Sequence, residues 1–103
     1  MSRPLQGEVW WAQADRKRRP VLVVTRSEAV RVLTGIVVAP VTRTIRNIPT
    51  EIRLDAAEGL PVECVASFDN LQRIDRTALS ERIGELGPRR PELCRAIDAL
   101  ADC

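Results

Sequence analysis

Two apolar, β-branched runs decide what this chain can fold into. Residues 20–25 read Pro-Val-Leu-Val-Val-Thr, and residues 35–42 read Gly-Ile-Val-Val-Ala-Pro-Val-Thr. Short runs of this kind, bounded by polar residues, are the signature of buried strands. Pro20 suits the first position of a strand, where its missing N–H is tolerated. Pro40, inside the second run, implies a bulge or an edge there.

Weaker signals surround them. Residues 8–12 (Glu-Val-Trp-Trp-Ala) form a first strand, residues 51–54 (Glu-Ile-Arg-Leu) alternate with period two, and 63–68, 71–74 and 81–86 are further short strands. Between them lie a polar, basic connection (13–19), a short helical turn or irregular crossing (27–33), a polar, basic loop (43–50), a stretch of turn residues (55–61) and a brief helical turn (77–79). Pro91 opens a helix whose Leu93, Ala96, Ile97, Leu100 and Ala101 fall on one face. Several short strands and one terminal helix predict a mainly β fold with short helices (α+β). The expected architecture is a small antiparallel barrel in one domain, residues 1–103.

Composition narrows the chemistry. Aromatic residues are only 3% of the chain, so the core must be aliphatic. No apolar run approaches the roughly 20 residues that cross a bilayer. The first seven residues hold no apolar segment of the signal-peptide kind, so a cytoplasmic location is expected. Cys64, Cys94 and Cys103 form no CxxC pair and read as free thiols in a reducing compartment. Histidine is absent, which excludes a Ser-His-Asp hydrolase, a His–His ribonuclease and a His-bearing zinc site. No metal or other cofactor is expected.

The net charge of +2 is unevenly placed. Residues 1–50 hold nine Arg/Lys against three Asp/Glu, whereas residues 51–103 hold seven against eleven. Such asymmetry suits a basic face for a polyanion. Two segments concentrate it. In Arg16-Lys17-Arg18-Arg19-Pro20, three basic residues precede Arg19, which abuts a rigid strand entry; guanidinium forks there match phosphate oxygens. In Val38-Ala39-Pro40-Val41-Thr42-Arg43-Thr44, a buried strand ends in hydroxyl and guanidinium groups that can donate to phosphate. Trp10 and Trp11 point to opposite faces of their strand, one into the core and the other partly exposed, where it can stack on a base, pack at the rim or meet a second copy. Asp69-Asn70, between two strands, reads as a turn that can also present a base-reading edge.

Several blocks then resemble one family in order. Gly7-Glu8-Val9-Trp10-Trp11, Arg19-Pro20-Val21-Leu22-Val23-Val24, Val38-Ala39-Pro40-Val41-Thr42, Pro49-Thr50-Glu51-Ile52, Asp69-Asn70-Leu71-Gln72-Arg73-Ile74 and Ile83-Gly84-Glu85-Leu86 look like successive segments of the MazF/PemK toxins of type II toxin–antitoxin systems. The resemblance implies an SH3-like barrel with a C-terminal helix, assembled as a homodimer. It implies a metal-independent endoribonuclease that cuts single-stranded RNA at short sequences, leaving a 2′,3′-cyclic phosphate and a 5′-hydroxyl. It also implies a partner antitoxin, MazE-like or of another class, whose disordered C-terminal segment covers the RNA groove. The family's catalytic Arg matches Arg19 and its catalytic Thr matches Thr42. Many members carry a longer first loop with a Gly-Ser-Glu-Gln-like stretch, whereas residues 13–18 here are short and basic. Arg16, Lys17, Arg18, Arg43 and Arg46, with Thr44 and Asn70, are the expected RNA contacts. The competing readings are a non-catalytic SH3-like module binding nucleic acid or peptide, and a gyrase-directed toxin relative.

Overall fold

Both apolar runs are strands buried on two sides. The computed structural model describes residues 3–14 and 16–101. Among them are seven strands: β1 (Glu8–Ala14), β2 (Lys17–Val23), β3 (Gly35–Thr42), β4 (Glu51–Leu54), β5 (Cys64–Ser67), β6 (Gln72–Asp75) and β7 (Leu79–Glu85). Two α-helices, α1 (Ser27–Val30) and α2 (Pro91–Leu100), and short 3-10 turns make up the connections.

All strand pairs are antiparallel, in the order β4-β5-β3-β2-β1-β7, and β6 also pairs with β3. β3 is the hub. One edge pairs with β2 through Val38–Pro40. The other edge is shared, with Gly35–Val38 on β6 and Val41–Thr42 on β5. Pro40 sits at the changeover between those two partners, so its missing N–H falls where that edge has no ladder bond to lose. The sheet curls into a half-barrel. The chain leaving β4 turns through Ala56–Glu58 onto β7, so closely that a Cβ on Gly84 would lie 2.0 Å from the Glu58 carbonyl oxygen.

Burial on both faces explains why the runs look continuously apolar. Val9, Leu22, Ala39, Ile52, Leu54 and Phe68 pack on one face with Leu93 and Ala96 of α2. Trp10, Val21, Val23, Ile36 and Val38 pack on the other with Val30 of α1. The core is mostly aliphatic, with Phe68 and Trp10 as its buried aromatic residues. Cys64 is a buried and Cys94 an exposed free thiol; Cys103 lies outside the described residues.

Three boundaries differ from the sequence reading. The connection expected over residues 13–19 is mostly strand, since Ala14 pairs with Lys17 and the hairpin closes with two residues between them. Residues 17–19 are exposed, so no apolar alternation marks them, and their strand character comes from backbone pairing alone. β7 begins at Leu79 rather than residue 81, and the helical turn before it is Arg76–Ala78. The apolar face of α2 fades at its end, where Leu100 is 40% exposed and Ala101 is exposed beyond the last turn.

Candidate active site

The site begins with the register of three strands. Trp11 of β1 is paired with Pro20 of β2, and Ala12 with Arg19. Val21 of β2 is paired with Pro40 of β3. The β2–β3 ladder ends at that pair, and Arg19 on β2 and Thr42 on β3 each lie two residues beyond it. Trp11 and Pro20 therefore share one face of the sheet, and Ala12 and Arg19 share the other.

Trp11, Pro20 and Val41 wall a cleft of about 280 Å³. Leu60, Pro61 and Val62 form its opposite wall, Cys64 its floor, and Thr42 and Arg43 its rim. Burial pushes the Cys64 thiol up from its ordinary pKa; Asp55 and Glu58 add to this, and the Arg43 charge opposes it. The thiol stays neutral and faces the Leu54 carbonyl at 3.6 Å. The floor is thus apolar and the rim cationic.

Thr42 has one polar contact that defines its chemistry. Its Oγ1 accepts a hydrogen bond from the Thr44 amide at 3.2 Å. The oxygen is anchored, and the hydroxyl hydrogen is left to donate outward. Beyond it, Glu51 Oε1 accepts from the Arg46 amide at 3.0 Å and the Asn47 amide at 3.1 Å, which shapes the 43–50 loop and presents the exposed Arg43 and Arg46. Asn47 takes a left-handed φ of 55° in that loop.

The basic segment divides. Arg19 is exposed and has no ion pair among the described residues. Lys17 is exposed on β2, and Arg16 forms the hairpin tip at φ 68°. Arg18 is engaged: it pairs with Glu81 at 2.7 Å, and its guanidinium lies 4.9 Å from the centroid of the Trp11 ring. Thr44 adjoins Thr42 through its amide. Asn70 stands apart from the cleft, with its Nδ2 donating to Ser67 Oγ at 2.9 Å inside the Phe68–Asn70 turn. Trp10 and Trp11 do part across the sheet: Trp10 is buried and Trp11 half-buried against the cleft.

Sequence reasoning did not find the Leu60–Val62 wall or the Arg18–Glu81 pair. The wall comes from a turn-rich segment with no periodicity, and the pair joins residues 63 apart in sequence. Among the described residues, no group of three or more Cys, Asp or Glu is placed to hold a metal, and no helix is long and apolar enough to cross a membrane.

A curled antiparallel sheet with a C-terminal helix, and with Thr42 and Arg43 at the rim of its cleft, defines a small half-barrel. The chain belongs to the PemK-like, MazF-like toxins of type II toxin–antitoxin systems, whose family model matches residues 5–99. It is 39% identical over 100 residues to the probable endoribonuclease MazF2 of Mycobacterium tuberculosis, covering 95% of this chain and 98% of that protein. It is 44% identical over 92 residues to the endoribonuclease MazF3 of the same species, covering 88% of each. The solved structure of Mycobacterium tuberculosis toxin MazF-mt6 superposes with a TM-score of 0.84 at 41% identity, covering 92% of this chain and 96% of that one.

Proposed function

We propose that this protein is a toxin endoribonuclease that cuts single-stranded RNA at short specific sequences, using Arg19 and Thr42 on adjacent strands. The observation that supports the reading is the pairing of β2 with β3 up to Val21–Pro40, which makes neighbours of the strands that carry Arg19 and Thr42, with Thr42 and Arg43 lining the cleft. The relatives named as endoribonucleases support the same activity.

The chemistry needs only the RNA itself. The 2′-oxygen attacks the adjacent phosphorus, the P–O2′ bond forms and the P–O5′ bond breaks. The 2′-hydroxyl loses one proton and the leaving 5′-oxygen gains one, so the products are a 2′,3′-cyclic phosphate and a 5′-hydroxyl. Arg19, which has no carboxylate partner among the described residues, holds the scissile phosphate and stabilises the added charge on the crowded phosphorus. Thr42 donates its hydroxyl hydrogen to a phosphate oxygen. No group in this scheme is a metal ligand. An antitoxin covers the same face, in keeping with a family of type II toxin–antitoxin systems. A domain of this size gains stability by pairing, and we assign it a homodimer.

The test is incubation of the purified protein with a long single-stranded RNA in EDTA, followed by end-group analysis. Discrete cuts with the two expected ends are the predicted result. Arg19→Ala and Thr42→Ala, each shown to be folded, should lose about 10²–10³ in rate. Wild-type rates in both would overturn the assignment. Intact RNA with the native protein would leave a binding module or a gyrase-directed toxin.

A further inference from the structure

We infer that the cleft beside Thr42 is a nucleobase pocket, with Trp11 as its stacking wall and Val62 as the gate opposite. The proposal rests on the reading of this face as one that binds single-stranded RNA, and it adds where one base goes.

Three observations carry it. The first is size. At about 280 Å³ the cleft lies just under the roughly 300–1,000 Å³ of pockets that hold drug-sized ligands, which suits a smaller flat group. The second is the lining. Trp11, Pro20, Val41 and Leu60 are apolar, and the Cys64 thiol below them is neutral, so the interior rewards a weakly hydrated ring and rejects a phosphate. The third is the rim. Thr42 and Arg43 stand at the mouth, so a phosphate held by them outside leaves its attached base at the opening. An apolar interior under a cationic rim matches a nucleotide, with its ring inward and its charge outward.

Trp11 is held for this task. The Arg18 guanidinium covers the ring at 4.9 Å from its centroid, and Glu81 fixes Arg18 at 2.7 Å. A ring braced this way keeps its orientation toward the cleft before RNA arrives, which lowers the ordering cost of binding. Trp11 and Val62 are specificity-determining in this scheme, while Arg19 and Thr42 act on the phosphate.

The test uses strands that cannot be cut. Four 2′-O-methyl nine-mers, each of a single base, are compared with a nine-mer of the same backbone that carries no bases, by fluorescence polarisation. At least one homopolymer should bind about tenfold more tightly than the abasic strand, as expected for a base stacked on an aromatic ring. That gap should collapse in Trp11→Ala and in Val62→Trp. Val62 is 43% exposed, so Val62→Trp fills the opening without disturbing the core. If the abasic strand binds as tightly as all four homopolymers, or if the gap survives in Val62→Trp, the pocket takes no base and is left for an apolar side chain of a protein partner. Cleavage of unmodified RNA is scored separately. A base gap without cleavage would sink the nuclease reading and keep the pocket, and cleavage without a base gap would do the reverse.

Discussion

Arg82 Nε donates to Glu8 Oε2 at 2.7 Å, and it does so where the register between β1 and β7 slips, Val9 facing Gly84 and Trp10 facing Arg82. The other oxygen of Glu8 accepts from the Leu5 amide at 2.8 Å and from Trp10 Nε1 at 3.1 Å. One buried carboxylate thus ties the N-terminal segment, β1 and β7 together. Glu8→Ala strands the buried indole N–H and removes three bonds at once, and should cost about 3 kcal/mol. Arg82→Ala should cost only about 1 kcal/mol, because Arg82 is 39% exposed and Glu8 keeps its two N–H donors. Urea denaturation gives both values. An equal loss in the two variants would show that the charge pair, not the N–H bonds, holds the slip in place.

Closure of the half-barrel depends on Gly84 having no side chain. Its added Cβ would meet backbone rather than a movable side chain, at 2.0 Å from the Glu58 oxygen and 2.7 Å from the Glu58 carbonyl carbon. Gly84→Ala should therefore force β7 and the Ala56–Glu58 turn apart and cost about 3 kcal/mol or more. The thermal midpoint reads this out directly. A midpoint within a degree or two of the native protein would mean that the two segments separate without loss.

The parts of this fold that were legible in the sequence are those with a short period. β3 and β4 fall at the residues where their side chains alternate or form a continuous apolar run, and α2 starts at Pro91 as its composition requires. The pairing of Ala14 with Lys17 was hidden, because the exposed Lys17–Arg19 end of β2 carries no apolar signal. The site followed the same division. Arg19 and Thr42 stand out in the sequence beside rigid apolar runs, and the structure puts those two runs on neighbouring strands. The pairing of Arg18 with Glu81 was invisible, since only the return of β7 to β1 brings those residues together. The cleft wall at Leu60–Val62 was equally silent, because it is a loop whose position is set by the capping of the preceding turn: the Asp55 carboxylate accepts from the Ala57 amide, and Glu58 Oε1 from the Asp55 amide.

Acid should weaken the fold through Glu92 and Asp75. The Arg89 guanidinium hydrogen-bonds Glu92 and holds its carboxyl below the usual carboxylate range, and the Thr77 amide and hydroxyl do the same for Asp75. Each carboxyl binds its proton less readily in the folded state than in the unfolded one. Each contributes stability that is fully present above the ordinary carboxylate range and is lost as pH falls through that range toward the lower folded values. Unfolding midpoints measured from pH 6 downward should decline below roughly pH 4.5. Glu92→Gln should flatten that decline, being unable to take up a proton. A decline of unchanged steepness in Glu92→Gln would assign the acid sensitivity to other groups.

Salt dependence should separate the basic residues proposed to contact RNA from the one that braces Trp11. Each phosphate contact on a single strand adds about 0.7 to the slope of log affinity against log salt. Arg43 and Arg46 are exposed on a loop whose backbone Glu51 holds, and Lys17 is exposed on β2. Arg43→Ala, Arg46→Ala and Lys17→Ala should each lower the slope by about 0.7 for an uncleavable 2′-O-methyl strand. Arg18 is already neutralised by Glu81 at 2.7 Å, so Arg18→Ala should leave the slope unchanged. Its affinity should still fall, because the Trp11 ring loses the guanidinium over its face. The four variants are compared between about 50 and 200 mM salt, where such slopes are well defined. A slope lowered by Arg18→Ala as much as by Arg43→Ala would show that RNA draws Arg18 away from Glu81, making the brace a phosphate contact in the bound state.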